Sequence, residues 1–247
     1  MIKTCVIGDI HGHYKQLIEL LDLLEYNHNI DFESDRLIFL GDYVDGGPDT
    51  YQVIEQLIYF KKTYPHWIFL YGNHEDLLLD AYNPQHPIYH DYYLWYNQGG
   101  KATLDSYSRE ITSDPYEASL VGMSNAIPSE HLEFFLTLQA YYEDEKYFYV
   151  HGGINPGMTI EENKSSTSRY DMSWMREPFI SSNYDWGKKI IFGHTCDYKG
   201  EYQKQGIPFC PIIRENKIGI DTFAHNTGRL TSVILPEETI VRTKMYD

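Results

Sequence analysis

The chain has 247 residues, and its 42% hydrophobic content excludes an intrinsically disordered protein. A formal net charge of −16 argues against DNA or RNA as a partner, since nucleic acids are bound largely through Lys and Arg. Three cysteines without a Cys-x-x-Cys pair argue against a disulfide framework or a thiolate zinc site. We see no signal peptide and no apolar run near the ~20 residues that cross a bilayer, so we expect a cytoplasmic protein without membrane contact.

The N-terminal third alternates short apolar runs with segments that have helical spacing of apolar residues. Such alternation predicts parallel strands with helices on the sheet faces, and in such sheets ligands bind at the carboxyl ends of the strands. The predicted strands are Thr4–Ile7, Arg36–Leu40 and Trp67–Tyr71, and the predicted helices are Tyr14–Leu24, Thr50–Phe60 and Glu75–Tyr82.

The rest of the chain divides into a helical middle and a strand-rich end. We interpret residues 83–138 as a helical, loop-rich insertion in a single domain that spans residues 1–247, and we expect residues 163–168 to form a flexible loop. Residues 141–150 carry the signal of a hairpin. Further predicted strands are Lys188–Phe192, Ile218–Ile220, Leu230–Leu235 and Thr239–Lys244.

Five short motifs place reactive side chains directly after apolar runs. One such motif alone is typical of an ordinary turn, whereas five in order indicate a functional site. The motifs are Gly8-Asp9-Ile10-His11-Gly12, Gly41-Asp42-Tyr43-Val44-Asp45, Gly72-Asn73-His74-Glu75, His151-Gly152-Gly153 and Gly193-His194.

These motifs supply the ligands that divalent ions use in hydrolytic sites. Asp9 and His11 are two residues apart and can face one ion, and the two oxygens of Asp42 can bridge two ions. Carboxylate, imidazole and amide ligands without thiolate suit manganese, which we favour, or iron, zinc or nickel. Two ions about 3.5–4 Å apart can hold one water as hydroxide for attack on phosphorus. The predicted metal ligands are Asp9, His11, Asp42, Asn73, His151 and His194.

Two further residues of the motifs are candidates for proton transfer. His74 follows Asn73 directly, so it can protonate the departing oxygen from a place beside the metals. Asp45 can accept the other ring N–H of His74 and fix its tautomer. The remaining histidines we interpret as structural or surface residues, with a reservation for His225, whose Gly- and Asn-containing loop could approach the site.

In these motifs the chain resembles the calcineurin-like metallophosphoesterases, and more narrowly the phosphoprotein phosphatases and their bacterial relatives, the symmetrical diadenosine tetraphosphatases. The resemblance implies a four-layer α/β/β/α sandwich. It implies that Asp9, His11 and Asp42 hold one metal ion, and that Asp42, Asn73, His151 and His194 hold the second. Asn73 is also a candidate to contact substrate.

The chain departs from the family pattern at one position. The family usually reads Gly-Asp-x-Val-Asp-Arg-Gly, with the Arg holding substrate phosphate, but the Arg position here is Gly46. Loss of a guanidinium removes a charge-assisted contact to phosphate. Arg176 is our first candidate to replace it, although a surface ion pair with Glu177 or another carboxylate would explain it equally well. Arg229 and Arg214 are weaker candidates.

Three functions follow as hypotheses. The first is a dinuclear-metal phosphomonoesterase of the Ser/Thr protein phosphatase type, acting on a phosphorylated protein or a small phosphoester. The second is a symmetrical bis(5'-nucleosyl)-tetraphosphatase, which would cleave diadenosine tetraphosphate to ADP. The third, suggested by Gly46, is a non-catalytic binding module, although no predicted metal ligand is missing.

Overall fold

A computed structural model describes residues 2–82, 89–111, 127–202 and 206–244. Its strands form two five-stranded sheets, in the orders β10-β9-β1-β2-β3 and β4-β5-β6-β8-β7. In chain order the strands are β1 (Thr4–Ile7), β2 (Arg36–Phe39), β3 (Ile68–Phe69), β4 (Tyr141–Glu143), β5 (Tyr147–Val150), β6 (Lys189–Phe192), β7 (Ile212–Ile213), β8 (Lys217–Gly219), β9 (Thr231–Leu235) and β10 (Thr239–Arg242).

Each sheet contains three adjacent parallel strands, and the sequence predicts those of the first sheet. In the first sheet β1, β2 and β3 run parallel, with Cys5 opposite Leu37 and Phe39 opposite Phe69. In the second sheet β5, β6 and β8 run parallel. Strand β9 pairs with β1 in the antiparallel sense, and the edge strands β4, β7 and β10 are likewise antiparallel to their neighbours. The carboxyl ends of the central strands therefore meet along one edge of each sheet.

Helices cover the outer faces of the two sheets. α1 begins at Tyr14 and buries Leu17, Leu20 and Leu21, whose spacing places them on one face. It continues directly into a π-helical segment at Leu23–Asn27. The segment Tyr96–Gly100, which is kinked at Gly99 (φ 111°), joins α4 to α5. The α-helices are α1 (Tyr14–Asp22), α2 (Thr50–Thr63), α3 (Asn73–Tyr82), α4 (Tyr89–Trp95), α5 (Lys101–Ile111), α6 (Ser129–Leu136), α7 (Ile160–Ser166), α8 (Arg169–Trp174) and α9 (Ala224–Thr227).

Alternate residues of each central strand face different cores. In β1, Cys5 and Ile7 point into the core under the helices, whereas Val6 points into the core between the sheets. In β6, Ile191 faces the core between the sheets, whereas Ile190 packs against the helical layer of the second sheet. This alternation is what a strand covered on both faces requires. The expected four-layer α/β/β/α sandwich is therefore confirmed.

Most predicted strands agree with the structure to within two or three residues, but one expectation fails and one strand was missed. Residues 163–168 do not form a loop: residues 163–166 belong to α7, and Ser168 caps α8. The α7 start is a capping box in which the Thr159 hydroxyl accepts from the Glu162 amide. The short edge strand β7 was not expected. Residues 112–126, in the expected insertion, lie outside the described residues. No helix in the described part of the chain is long and apolar enough to cross a membrane.

Candidate active site

The two sheets bring the five motifs to one place. Asp9 and His11 follow β1, Asp42 follows β2 and His151 follows β5. The two other strand ends contribute Asn73, which opens α3 after β3, and His194, two residues beyond β6. All six of these predicted ligands are buried. The structure therefore gathers side chains that are as many as 185 residues apart in sequence.

Two groups of ligand atoms share the carboxylate of Asp42. The first group is Asp9, His11 and Asp42, and the second is Asp42, His151 and His194, each with its ligand atoms within 4.8 Å of one another. Asp42 Oδ2 lies 3.5 Å from His11 Nε2, and Asp42 Oδ1 lies 3.2 Å from His151 Nε2. The amide oxygen of Asn73 lies 3.0 Å from the same His151 nitrogen. The two carboxylate oxygens of Asp42 thus face different groups.

The imidazoles are oriented as metal ligands require. His11 Nδ1–H donates to the carbonyl of Val44 at 3.0 Å, and His151 Nδ1–H donates to that of Leu40 at 2.9 Å. These bonds fix the tautomer and leave the lone pair on Nε2 for a cation. The buried Nε2 of His194 has no hydrogen-bond partner among the described residues. An unpaired buried nitrogen is costly unless a further group binds it, so the residues fit a pair of divalent ions.

The backbone is strained at four of the predicted site residues. His11, Asp42, Asp45 and His194 have φ angles of 48°, 52°, 71° and 60°. Side-chain-bearing residues rarely adopt this left-handed region, and each such residue costs on the order of 1–3 kcal/mol. Strain of this kind persists only where the surroundings impose it, and it clusters at functional sites.

Negative charge is concentrated at the centre of the site. Burial, together with the nearby Asp221 carboxylate, raises the pKa of Asp9 well above its usual range. Burial also raises the pKa of Asp221 to about 6, and the Asp42 charge adds to that shift. Buried carboxylates without cations are expensive. Two divalent ions would offset this cost directly. Asp221 was not among the predicted site residues.

Glu75 holds the turn that carries Asp42. Its buried carboxylate accepts backbone N–H groups from Asp42 at 3.0 Å, Tyr43 at 2.8 Å and Gly72 at 2.9 Å. A Cβ atom at Gly72 would lie 2.2 Å from Asp42 Oδ1, so only glycine leaves room for this carboxylate. Glu75 belongs to one of the five motifs but was not among the predicted site residues. Its position directly after His74 was the feature of the sequence that could have indicated a role at the site.

His74 and Asp45 form a hydrogen-bonded pair beside the predicted metal ligands. His74 Nδ1 lies 2.8 Å from Asp45 Oδ2. Burial lowers the pKa of His74, but the Asp42 carboxylate and the hydrogen bond to Asp45 outweigh it and raise the pKa to about 9. Asp45 also accepts from the indole N–H of Trp95 at 3.0 Å and from the Thr103 hydroxyl at 2.7 Å. Nε2 is the ring nitrogen of His74 that the contact with Asp45 leaves for proton transfer.

Thr103→Val should loosen the orientation of Asp45 and lower both stability and turnover. The hydroxyl donates to Asp45 Oδ1 and accepts the Asp45 amide at 2.9 Å, so the variant leaves a buried N–H unpaired. We expect a loss of about 1–3 kcal/mol in the free energy of unfolding and a several-fold fall in kcat. Urea denaturation and steady-state kinetics measure both. Thr103→Ser retains the hydroxyl and should keep both values within twofold; equal damage in both variants would refute the role.

The arginines suggested as phosphate contacts differ in position. Arg176 is exposed and is near enough to the site to help lower the pKa of His194, behind burial and His151. Glu177 accepts from Ser181 at 2.6 Å, and no ion pair between Glu177 and Arg176 is found in the described part of the chain. Arg214 lies in the turn before β8, at the opposite edge of the sheet. Arg229 precedes β9, with its Nε buried.

His225 lies at the site. Its ring centroid is 4.9 Å from that of His11 and 5.7 Å from that of His74. Burial lowers the pKa of His225 to about 4, with His74 adding to the shift. The expectation that the loop of His225 could approach the site therefore has a structural basis.

The family model for calcineurin-like phosphoesterases matches residues 2–225. The chain belongs to this family. It is therefore a phosphoesterase, a hydrolase, and the buried Asp and His groups are typical of the metal site of such enzymes. The binding-module hypothesis finds no support.

Curated members of this phosphoesterase family resemble the chain over different lengths. The asymmetrical bis(5'-nucleosyl)-tetraphosphatase of Bacillus cereus is 26% identical over 97% of this chain and 93% of the relative. The symmetrical bis(5'-nucleosyl)-tetraphosphatase of Coxiella burnetii is 38% identical, but over only 31% of this chain and 24% of the relative.

Solved structures of low sequence identity support the fold of this phosphoesterase. A candidate diadenosine tetraphosphatase superposes with a TM-score of 0.66 at 19% identity, over 99% of this chain and 94% of that one. A serine/threonine phosphatase from Saccharomyces cerevisiae superposes with a TM-score of 0.53 at 16% identity, over 100% of this chain and 81% of that one. At these identities the likeness concerns the fold alone.

Proposed function

We propose that this phosphoesterase hydrolyses dinucleoside polyphosphates, with diadenosine tetraphosphate as the representative substrate. The observation that carries the proposal is the full-length similarity to asymmetrical bis(5'-nucleosyl)-tetraphosphatases, which spans nearly the whole of both chains. The Ser/Thr protein phosphatase hypothesis, placed first from sequence alone, has weaker support, because its similar solved structure speaks only to the fold. The proposal thus takes the substrate of the second hypothesis, diadenosine tetraphosphate, but not its position of cleavage.

The position of cleavage in the proposal differs from the sequence expectation. That expectation was symmetrical cleavage to two ADP, but the symmetrical relatives match only 24% of their own length. We therefore propose asymmetrical cleavage, in which water adds to a terminal phosphorus of the chain and one anhydride P–O bond breaks. Diadenosine tetraphosphate and water then give ATP and AMP.

The proposed mechanism assigns work to the residues of this chain. Asp9, His11, Asp42, Asn73, His151 and His194 would hold two divalent ions, which supply Lewis-acid activation of water and charge neutralisation of the phosphate. His74 Nε2 faces the leaving oxygen and donates its proton there, while Asp45 holds the ring through Nδ1. Arg176 and Asn73 are the proposed contacts to the polyphosphate oxygens. Glu75 fixes the Asp42 turn.

The test is a direct comparison of substrates with manganese-loaded protein. One reaction contains diadenosine tetraphosphate and the other a phosphoserine peptide, with nucleotides resolved by ion-exchange chromatography and phosphate measured in both. We expect ATP and AMP from the dinucleotide at a kcat/KM at least about tenfold above that of the peptide. ADP as the sole product would overturn the asymmetrical assignment. Turnover of the peptide alone would overturn the proposed function in favour of a protein phosphatase.

A further inference from the structure

His225 enters the site from a part of the chain that none of the five motifs includes. It lies on α9, in the connection between β8 and β9, and its side chain is half-buried. Ring nitrogens of His11, His74 and His225 all lie within 4.8 Å of one another. In the described part of the chain, no hydrogen bond to the His225 ring is found. A polar ring without a hydrogen bond from the described residues therefore borders both the proposed acid and a proposed metal ligand.

Two glycines create the space in which this ring sits. Gly46 has a φ of +85°, and a Cβ atom there would lie 2.8 Å from His225 Nδ1. Gly99 has a φ of +111°, and a Cβ atom there would lie 2.6 Å from His225 Cε1. The Gly46 N–H donates to the Gly99 carbonyl at 3.2 Å, which holds the two glycines together. We call this pair of glycines the cradle of the His225 ring. Any side chain at either position would displace the ring.

The position of the ring limits what it can contact. A phosphoryl group undergoing hydrolysis must lie between the ions held near His11 and the acid His74, because it exchanges oxygens with both. A ring nitrogen within 4.8 Å of nitrogens on both residues borders that space. The cradle occupies the Nδ1 and Cε1 edge of His225, which leaves Nε2 as the group that can face the phosphate.

We propose that His225 is a substrate-contacting residue whose ring N–H donates to a non-bridging phosphoryl oxygen on the side of the leaving group. Gly46 and Gly99 are the positioning residues that make this contact possible. The inference deepens the proposed function but rests only on phosphoester hydrolysis at this site, not on the identity of the nucleotide. A contact with substrate differs from a role as an additional metal ligand. The ring nitrogens of His11, His74 and His225 are close enough together to allow that second role as well.

Four variants test the contact. His225→Ala should lower kcat/KM about tenfold, mostly through KM, because one hydrogen bond to a charged oxygen is lost. His225→Gln keeps an N–H donor and should recover at least about one third of the lost activity. Gly46→Ala should reproduce the effect of His225→Ala by displacing the ring. The double variant should then lose about tenfold rather than a hundredfold, since both changes remove one contact.

Matched controls separate the contact from strain and folding. Gly157 has a φ of +90°, and a Cβ atom added there would meet nothing within 4 Å, so Gly157→Ala carries the backbone cost of Gly46→Ala without the clash. Asn226→Ala changes the exposed neighbour on the same helix. Neither control should alter kcat/KM by more than twofold. Thermal unfolding of all variants shows whether a loss of activity follows a loss of structure.

Metal content and a second substrate decide between a substrate contact and a metal ligand. Two manganese ions per chain should remain in His225→Ala; loss of one ion would make His225 a ligand and overturn the proposal. Unchanged kcat/KM in His225→Ala, or multiplicative effects in the double variant, would also overturn it. All variants are assayed on diadenosine tetraphosphate and on p-nitrophenyl phosphate. If only the second substrate is hydrolysed, the proposed function fails while the contact of His225 is still tested.

Discussion

His74→Asn is expected to lower kcat by about 10²–10⁴-fold, the usual contribution of a positioned general acid, while the metal content stays unchanged. The reason is that His74 is the proposed acid: Asp45 holds its Nδ1 at 2.8 Å, which leaves Nε2 to donate the proton. The loss should be larger on a phosphoserine peptide than on diadenosine tetraphosphate. An alkoxide needs a proton to depart, whereas a phosphate leaving group, with a second pKa near ~6, needs it less.

The pH profile provides an independent readout of the same residue. The acid must be protonated, and the neighbouring Asp42 and Asp45 raise the pKa of His74 to about 9 despite its burial. We therefore expect kcat to fall as pH rises, with a midpoint at or below pH 9, since bound cations oppose the imidazolium charge. The fall of kcat with rising pH should be absent from the His74→Asn variant. An unchanged profile, or loss of metal from the variant, would contradict the role of acid.

Asp42→Asn is expected to abolish tight binding of both ions and to lower kcat/KM by more than about 10³-fold, because it removes the charge that both groups share. Asp42 Oδ2 faces His11 and Asp42 Oδ1 faces His151, so no other residue can replace it in both places. Metal analysis after gel filtration should find that neither ion is retained. Retention of both ions with full activity would contradict the bridging role.

Asp35→Asn is the matched control for Asp42→Asn. Asp35 is also buried, and it precedes β2 at the end opposite to the site. Its carboxylate accepts the Lys3 amide at 2.8 Å and the Asp31 amide at 3.0 Å. We expect this variant to lose stability but to keep both ions and normal kcat/KM. Damage to metal binding in both variants would indicate general unfolding rather than loss of a ligand.

Residues whose role depends on one short stretch of chain could be read from the sequence. The strands β1 and β2 and the motifs after them combine an apolar run with Gly and Asp, so their position at one edge of the sheet followed from parallel pairing alone. The cap of α7 was readable too, since Thr159 and Glu162 have the spacing of a capping box, and its neglect led to the wrong prediction of a loop.

Residues whose role depends on distant contacts could not be found in this way. Trp95 and Thr103 reach Asp45 from 50 and 58 residues away, on helices whose own periodicity gives no sign of the contact. His225 enters the site because Gly46 and Gly99 lack side chains, a complementarity among three separate segments. The shared negative charge of Asp9 and Asp221 likewise exists only after the sheets have packed.

The most direct test of the central claim is a manganese titration of metal-free protein with diadenosine tetraphosphate as substrate. If Asp9, His11, Asp42, Asn73, His151 and His194 form one dinuclear centre, activity should rise until two ions are bound per chain, and ATP and AMP should appear in equal amounts. Activity that saturates at one ion, or that persists without metal, would contradict the dinuclear site. A fully loaded protein that leaves the dinucleotide intact would contradict the proposed substrate.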